Sequence, residues 1–421
     1  MGKQLWFRFS GLVVASSAVA ALVATSANAG KTPATAGAGG NRRAIAQPAH
    51  DGNGPLIASP ALVAAVTVAM RQVAESAVAA AMSPRQLAGQ RVIYRYSGRM
   101  PPASLLTLIR AGEAGGVIFF ADNYASSAQF TATIKMLEAA NRAVTNPARA
   151  YPLLLMTDQE GGYVKRLPGA PYHSEKWIGA RATAGGRAYQ AQLAGAGAAS
   201  TLLSFGLNVN LAPVLDVYRV PGDFDDQYQR SYSMNPRVAA NLGADFIRAQ
   251  QSGGVAATAK HFPGLGAATA SQNTDERAVT INLSKATLQG VDEYPYAAAV
   301  AANVDLVMVS WAVYPSVGSS LPAGLSSAVV QGELRGRLHF HGVTITDGIG
   351  ARALARYGSS QNRALRAAQA GMQLILASGS MSQGMACLDA LEAGYNSGSL
   401  QAASFRATVT QLLLLRASLR P

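Results

Sequence analysis

The chain has 421 residues, of which 49% are hydrophobic and 14% are charged, and it carries a formal net charge of +13. This composition excludes a disordered chain, and the length suits one large domain or two small ones. The basic residues are scattered, without a Lys/Arg-rich block or an aromatic ladder, so nucleic-acid binding is not predicted; the charge instead favours contact with anionic polymers or lipid headgroups.

The first 29 residues have the pattern of a secretory signal peptide. Lys3 and Arg8 precede a short apolar core over residues 11–23, and Ala27-Asn28-Ala29 offers a small-residue cleavage site. The core is too short for a membrane-spanning helix. We therefore predict an exported protein, periplasmic or extracellular, with no integral membrane segment after cleavage; the alternative is an uncleaved anchor.

Residues 30–58 are rich in Gly, Ala, Pro and Asn, which predicts a flexible linker. An Ala-rich helix is predicted over residues 60–82, and Ser83-Pro84 is a favourable start for the next helix. Cys387 is the only cysteine, so no intrachain disulfide is possible. Its apolar helical surroundings predict that it packs in the core.

From residue 90 onward, eight short apolar runs alternate with stretches long enough to form a helix each. The predicted strands are Arg91–Tyr94, Gly116–Phe120, Leu153–Thr157, Asn208–Ala212, Ala256–His261, Leu306–Ser310, Val343–Thr346 and Leu374–Leu376. The predicted helices include Ser127–Asn141, Gly186–Phe205, Lys285–Ala302, Asn362–Ala370 and a closing helix over Leu400–Leu419. This alternation predicts an α/β fold, a TIM-type (β/α)8 barrel within residues 59–421 with N- and C-terminal helices. A doubly wound open sheet is the alternative, although no Gly-x-Gly-x-x-Gly fingerprint follows the first strand.

In such a barrel the functional groups lie at the C-terminal ends of the strands. Polar side chains occur at several of these ends: Asp158, Glu160, Asp216, Lys260, His261, Ser310, Trp311 and Asp347. Their convergence from distant segments predicts a ligand site. Asp347 stands at the mouth of a buried strand before Gly348, where a nucleophile has exposure and rigid support; a helix N-cap is the equal alternative.

Other charged residues near these strand ends suggest binding roles. Lys260 and His261 could bind sugar hydroxyls or lower the pKa of a carboxylate; the alternative is an ion pair with a structural histidine. Arg166 and Arg230 lie in loops after strands, where they could bind acidic or hydroxylated ligands, although each alone is more often a surface residue. The five histidines lack metal-ligand spacing, so neither a metal nor an organic cofactor is predicted.

Five motifs, taken together, resemble the family 3 glycoside hydrolases. They are Asp158-Gln159-Glu160-Gly161-Gly162 with Arg166, Asn210-x-Ala212-Pro213 with Asp216, Arg230-Ser231, Lys260-His261-Phe262-Pro263-Gly264, and Gly342-Val343 with Asp347. Their order between residues 83 and 380 is most like that of the single-domain bacterial exo-β-N-acetylglucosaminidases. The resemblance implies a retaining mechanism with Asp347 as the nucleophile. It also implies that the terminal sugar is held by Asp158, Arg166, Arg230, Lys260 and His261.

The chain departs from the family pattern at the proton donor. In the acetylglucosaminidases the loop after the Pro-Gly turn reads Gly-His-Gly, and an Asp-Ser-His further on supplies an Asp–His dyad as the acid/base. Here Leu265 stands in place of the Gly-His-Gly histidine. Ser271-Gln272-Asn273 occupies the place of the dyad, or Asn273-Thr274-Asp275 does with a two-residue shift. Trp311 and Ala351 are further departures, from a common His and a common Met.

Three alternatives follow from the missing dyad. Asp275, or its neighbour Glu276, acts as the acid/base; a partner group or the substrate supplies the proton; or the hydrolase is impaired and retained for binding.

The sequence predicts an exported glycosidase that acts on an oligosaccharide or cell-wall glycan. It would remove a terminal non-reducing β-linked sugar, with β-N-acetylglucosamine from wall fragments as the first choice and with Asp347 and Asp275 as catalytic residues. The alternatives are a β-glucosidase or β-xylosidase of the same family, and a non-catalytic glycan-binding protein. The oligomeric state is left open.

Overall fold

The computed structural model describes residues 59–145, 147–181 and 183–419. The predicted signal peptide and linker, residues 1–29 and 30–58, lie outside these ranges. The described residues divide into two compact units between Glu75 and Ser76.

Helix α1 (Pro60–Ala80) confirms the predicted Ala-rich helix. Its residues 60–75 belong to the first unit, which ends at Glu75. Val63, Val68 and Met70 on this helix are more than half exposed. In the described part of the chain, α1 is the one helix long and apolar enough to cross a bilayer, by length and composition only. The absence of a membrane segment beyond the signal peptide therefore stays a prediction.

The second unit is built on eight parallel strands in the order β10-β1-β2-β3-β6-β7-β8-β9. The barrel closes between β9 and β10, where Thr346 N–H donates to the Leu374 carbonyl at 3.0 Å and Leu374 N–H donates to the Thr344 carbonyl at 2.9 Å. A two-stranded hairpin, β4 and β5, follows β3. The strands are β1 (Val92–Tyr94), β2 (Gly116–Ile118), β3 (Leu154–Thr157), β4 (Gln159–Gly161), β5 (Val164–Lys165), β6 (Val209–Asn210), β7 (Ala256–Phe262), β8 (Leu306–Val309), β9 (Val343–Thr346) and β10 (Ile375–Ala377). The predicted (β/α)8 barrel is confirmed.

Helices alternate with these strands. The α-helices after α1 are α2 (Pro84–Gly89), α3 (Ala103–Arg110), α4 (Ser127–Arg142), α5 (Glu175–Gly179), α6 (Ala184–Ser204), α7 (Phe224–Gln227), α8 (Pro236–Ser252), α9 (Lys285–Thr287), α10 (Tyr294–Ala301), α11 (Ser360–Ala370), α12 (Met381–Asn396) and α13 (Ala402–Ser418). Short 3-10 helices cover Ala121–Asn123, Pro147–Ala150, Pro315–Val317, Ala323–Leu325 and Arg352–Tyr357, and π-helices cover Leu288–Asp292 and Ala328–Arg337. Cys387 is buried within α12, as predicted.

The strands are short and apolar because both of their faces are buried. Alternate residues such as Ile93, Met156 and Ile345 form a cluster with Leu412 and Leu415 of α13. The other face of each strand packs against the surrounding helices, which is why the strands appear in the sequence as continuous apolar runs.

Helix α2 begins where the sequence predicts. Ser83 is its N-cap and Pro84 its first residue. The Ser83 hydroxyl accepts the Gln86 N–H at 3.2 Å, and the Gln86 side chain accepts the Ser83 N–H at 3.1 Å. Two backbone donors that have no partner within the helix are thereby satisfied, so this capping box fixes the start of α2.

One predicted helix is broken. The segment Lys285–Ala302 consists of α9, the π-helix Leu288–Asp292 and α10, instead of one continuous helix. Pro295 lies in the first turn of α10. Proline has no N–H to donate and clashes with the carbonyl four residues earlier, so it begins a new helix rather than continuing the old one.

Candidate active site

The C-terminal ends of the barrel strands surround a cavity of about 310 Å³. Asp158 follows β3, Lys260 and His261 lie near the end of β7, and Asp347 follows β9. The cavity lining includes all seven residues predicted for the site, namely Asp158, Arg166, Arg230, Lys260, His261, Asp275 and Asp347. The barrel therefore brings together residues that are up to 189 positions apart in the sequence.

Lys260 is the buried cation of the cavity, with its side chain only 2% exposed. Its Nζ lies 2.7 Å from Asp158 Oδ1 and 2.7 Å from Glu160 Oε1. Burial alone would lower the pKa of Lys260, but the two carboxylates outweigh burial and raise it. The ammonium group is therefore charged at neutral pH, and it holds Asp158 in a fixed orientation.

Glu160 and Arg230 form a second ion pair beside Lys260. Arg230 Nε and Nη2 donate to the two oxygens of Glu160 at 2.8 and 3.0 Å. Burial favours the neutral acid, but the positive charges of Arg230 and Lys260 outweigh this effect and lower the pKa of Glu160 to about 2. Arg166 completes the group, with its Nη2 3.9 Å from Asp158 Oδ2. Asp158 remains partly exposed, so its carboxylate faces the cavity between two cations.

His261 is held as a neutral imidazole. Its Nδ1 lies 2.7 Å from Asp216 Oδ2, and its Nε2 lies 3.4 Å from Arg230 Nη2. Burial and the Arg230 charge lower the pKa of His261 to about 4. The Asp216 contact assigns the proton to Nδ1, so Nε2 is the unprotonated nitrogen that accepts from Arg230 Nη2.

Asp216, Asp225 and His261 are the described residues whose ligand atoms lie close enough to hold a metal ion, within 4.8 Å of one another. Asp216 is already bonded to His261, and Arg230 lies 3.1 Å from Asp225 Oδ1. The guanidinium group supplies the positive charge that a cation would bring. The cluster is better described as a support for His261 and Arg230 than as a metal site.

Asp347 is fixed by the turn that follows β9. The Gly348 N–H donates to Asp347 Oδ1 at 2.6 Å, and Trp311 Nε1 donates to the Gly348 carbonyl at 2.9 Å. Burial and the neighbouring Asp275 carboxylate raise the pKa of Asp347. The departure at Trp311 noted in the sequence thus has a local role, because this indole orients the peptide next to Asp347.

Asp275 lies on the long loop after β7, at the mouth of the cavity. The Asp275 carbonyl accepts the Arg352 N–H at 3.0 Å, and the Thr274 carbonyl accepts the Ala353 N–H at 3.1 Å. These two bonds join the Asp275 loop to the segment that follows Asp347. Asp275 is exposed at the rim of the cavity, and partial loss of water around its carboxyl group raises the pKa of Asp275; Arg230 opposes this shift, and Asp158 adds to it.

Among the described residues, no histidine accompanies Asp275. His261 is the histidine of the cavity lining, His173 stacks on Trp177 at 3.5 Å, and His339 and His341 are exposed. At the position of the Gly-His-Gly histidine, Leu265 is buried and its N–H donates to Asp216 Oδ1 at 2.6 Å. Asp275 thus lines the same cavity as Asp347, whose pKa it raises, and no contact of its carboxylate with an imidazole is found among the described residues.

The site also contains residues that were not selected from the sequence. Glu160 and Asp216 were noted at strand ends without a role, although the alternation of Asp158 and Glu160 was a usable signal. Asp225 lies in the short helix α7 and Tyr228 follows it directly, both in the segment between β6 and α8 and far from any strand end. The acidic run that contains Asp225 could have indicated that this segment belongs to the site. Strand periodicity, however, does not predict where the segment folds.

The family model described as the glycosyl hydrolase family 3 N terminal domain matches residues 87–415. The chain is 41% identical over 334 residues to a protein of Arthroderma benhamiae described as an uncharacterized secreted glycosyl hydrolase, which covers 79% of this chain and 93% of that protein. It is 33% identical over 271 residues to a β-hexosaminidase of Xanthomonas oryzae pv. oryzae, covering 62% of this chain and 75% of the relative.

A solved structure gives a similar result. The glycoside hydrolase family 3 β-N-acetylglucosaminidase from a Paenibacillus species superposes with a TM-score of 0.74 at 33% sequence identity. The match covers 80% of this chain and 63% of that protein, so this chain spans less than two thirds of its length.

Proposed function

The chain belongs to glycoside hydrolase family 3, and from this premise we propose that it is an exported, retaining β-N-acetylglucosaminidase that acts on the non-reducing end of a glycan. The observation that carries the proposal is that Asp347 and Asp275 line the same cavity as Lys260, which is paired with Asp158 and Glu160. The relatives described as a β-hexosaminidase and as a β-N-acetylglucosaminidase support the choice of sugar. The relative described as secreted, and the signal-peptide pattern of the sequence, support export.

In the first step, Asp347 attacks the anomeric carbon of the terminal sugar. The carboxylate oxygen forms a bond to that carbon while the glycosidic oxygen leaves, which gives a glycosyl-enzyme ester. The Gly348 N–H contact fixes one oxygen of Asp347, so the other oxygen is available for attack. Water then displaces Asp347 from the sugar and restores the anomeric configuration.

Asp275 is proposed as the acid/base of both steps. Its raised pKa favours the protonated form, which the departing glycosidic oxygen requires. After the first step its carboxylate takes a proton from the incoming water. The charge of Asp275 also raises the pKa of Asp347, so ionisation of one carboxyl group disfavours ionisation of the other.

The remaining charged residues are proposed to hold the terminal sugar. Asp158 faces the cavity and accepts hydroxyl protons, while Lys260 and Arg166 fix its carboxylate and donate to hydroxyl oxygens. His261 lines the cavity, and Arg230 holds both His261 and Glu160 in place. Fixed donors and acceptors of this kind position the anomeric carbon against Asp347.

The absent Asp–His dyad favours a second candidate, a glycan-binding protein without turnover. The same cavity and the same sugar-binding residues serve both functions. A binding protein, however, has no need for a carboxylate oriented as Asp347 is by Gly348 and Trp311.

The test uses the full exported protein with aryl β-glycosides of N-acetylglucosamine, glucose and xylose. Each sugar is offered with a dinitrophenyl and a phenyl leaving group, because the first hardly needs protonation and the second does. We expect turnover of the N-acetylglucosaminides above the others. Preference for glucoside or xyloside would replace the proposed sugar, and no turnover of any dinitrophenyl glycoside would favour the binding protein.

A further inference from the structure

A second cavity lies at the opposite end of the barrel from the candidate active site. It is bounded by Arg91, just before β1, and by residues 371–373, just before β10, which places it at the N-terminal ends of the strands. Its volume is about 650 Å³, within the range of sites that hold small organic ligands.

This cavity contains two arginines and no acidic lining residue. Arg91 is 97% buried, since only 3% of its surface is exposed, and Arg335 is half-buried. No ion pair involves either guanidinium group among the residues that the structure describes. By contrast, the buried Lys260 and Arg230 of the candidate active site each contact two carboxylates.

Both guanidinium groups are fixed on the same residue, Gln373. Arg91 Nε donates to the Gln373 carbonyl at 3.1 Å, and Arg335 Nη2 donates to the Gln373 side-chain oxygen at 2.8 Å. Arg91 also donates to the Met372 carbonyl at 2.7 Å, and Arg335 to the Gly342 carbonyl at 2.7 Å. Both cations are thus held in fixed orientations by carbonyl groups at and near Gln373, with further N–H groups available.

Neutral carbonyls do not balance the charge of these arginines. Burial lowers the pKa of Arg91 to about 9 and that of Arg335 to about 10, so each guanidinium is destabilised by its surroundings. An anion in the cavity would relieve this cost, and guanidinium groups bind carboxylates through paired, charge-assisted hydrogen bonds.

The rest of the lining suits a hydroxylated ligand. Gln331, Gln369, Ser404 and Thr408 contribute amide and hydroxyl groups, which donate to and accept from hydroxyls. The aromatic ring of Phe405 lies beneath Arg91, with the guanidinium carbon 4.3 Å from the ring centroid. A simple ion would leave most of this volume and these polar groups without contacts.

We propose that this cavity binds an acidic saccharide, whose carboxylate contacts Arg91 and Arg335 and whose hydroxyls contact the amide and hydroxyl lining. This site is separate from the candidate active site and does not depend on the proposed activity. The alternative is that Arg91 and Arg335 only donate to backbone carbonyls. In that case the two arginines would contribute to the stability of the fold and would bind no ligand.

The experiment measures the binding of glucuronic acid to the full exported protein by titration calorimetry, with glucose and acetate as comparisons. Glucose carries the hydroxyls without the charge, and acetate carries the charge without the hydroxyls. We expect glucuronic acid to bind at least about tenfold more tightly than either comparison compound, since a charge-assisted pair is worth a factor of this order. Equal binding of glucose or of acetate would overturn the proposal.

Three variants locate the binding. R335Q removes one charge, and S404W fills the cavity from an exposed position of α13 while leaving both arginines in place. R406Q, on an exposed residue of the same helix that does not line the cavity, is the matched control. Affinity should fall about tenfold or more in R335Q and S404W and stay unchanged in R406Q. Folding is checked by circular dichroism, and a folded S404W protein that binds glucuronic acid like the wild type would overturn the assignment.

Discussion

At the scale of single residues, Lys260 supplies the positive charge that compensates two carboxylates of the candidate active site. Its buried ammonium contacts Asp158 and Glu160 at 2.7 Å each. Removing one member of a buried ion-pair network leaves the other charges uncompensated, which costs much more than the pair contributes.

The variant K260M should therefore lower the free energy of unfolding by about 3–5 kcal/mol. The matched control is K285M, because Lys285 is mostly exposed and lies 3.6 Å from Glu333. Exposed pairs contribute about 0–1 kcal/mol, so K285M should be close to wild type. Urea unfolding of the two variants measures the difference, and equal losses would show that Lys260 is not the centre of a buried network.

Asp275 is the residue whose proposed role departs most from the family pattern. In D275N, kcat/KM for phenyl glycosides should fall by about 10²–10³, because general acid catalysis contributes a factor of this order. The loss should be much smaller for dinitrophenyl glycosides, whose leaving group hardly needs a proton. E276Q is the control, since Glu276 is adjacent and does not line the cavity.

The pH profile provides a second readout for Asp275. Its carboxyl must be protonated in the first step, and its pKa is raised, so activity should fall as the pH rises through that pKa. This basic limb should disappear in D275N and persist in E276Q. An unchanged basic limb in D275N would mean that another group is the acid.

At the scale of elements, the Asp275 loop is joined to the segment after Asp347 by two backbone hydrogen bonds. The Arg352 N–H donates one of them, to the Asp275 carbonyl. Arg352 is the first residue of a 3-10 helix, and Ala351 before it has an extended backbone (φ −51°, ψ 139°). Proline is compatible with both features, so R352P deletes the hydrogen bond with little strain elsewhere.

R352P should lower kcat/KM for phenyl glycosides by about tenfold, because small displacements of a catalytic group are costly. R352A retains the backbone N–H and should act like the wild type. A steady-state comparison of the two variants measures the contribution of the backbone bond. Equal activities would mean that this bond does not position the Asp275 loop.

The elements also show which parts of the site the sequence could predict. The ends of the strands can be predicted because a buried parallel strand appears in the sequence as an apolar run, and the residues at its end face the site. This pattern located Asp158, Lys260 and Asp347. Asp225 could not be located in this way, because it lies in the short helix α7, whose position relative to Arg230 depends on tertiary contacts. The apolar pattern of Lys285–Ala302 continues across Pro295 and so predicts one helix, whereas the missing N–H of proline begins a new helix there.

At the scale of the whole molecule, several carboxyl groups are buried with raised pKa values. Burial raises the pKa of Asp225 and Asp292 to about 7 and of Asp216 and Asp305 to about 6, from an ordinary value of 3.8. At pH values between the ordinary pKa and the raised pKa, these carboxyl groups are protonated in the folded state, whereas in the unfolded chain they have already released their protons. His261 acts in the opposite direction, because its pKa falls from 6.5 to about 4.

These shifts predict that the protein is more stable in mild acid than at neutral pH. Between pH 4 and 7 the folded state binds more protons than the unfolded chain, so the free energy of unfolding falls as the pH rises. Thermal unfolding at about pH 5 and about pH 8 should give the higher Tm at the lower pH, and the variant D305N should show a weaker dependence. A Tm that rises from pH 5 to pH 8 would contradict the description of these groups.

The barrel itself could be predicted from the sequence because eight apolar runs and the intervening helices repeat a single physical pattern. The role of each cavity residue is harder to predict, since it depends on partners that the fold brings together from separate strands. Arg230 illustrates this, because its contacts with Glu160 and His261 join three different segments.

The central claim is that Asp347 forms a covalent bond with the sugar, and trapping that intermediate tests it most directly. The protein is incubated with a 5-fluoro N-acetylglucosaminyl fluoride, whose fluorines slow breakdown of the ester and supply a leaving group that needs no acid. Mass spectrometry should find one added glycosyl group on the peptide that contains Asp347, and D347A should remain unlabelled. Labelling of a different residue, or none under conditions where dinitrophenyl N-acetylglucosaminide is turned over, would contradict the account.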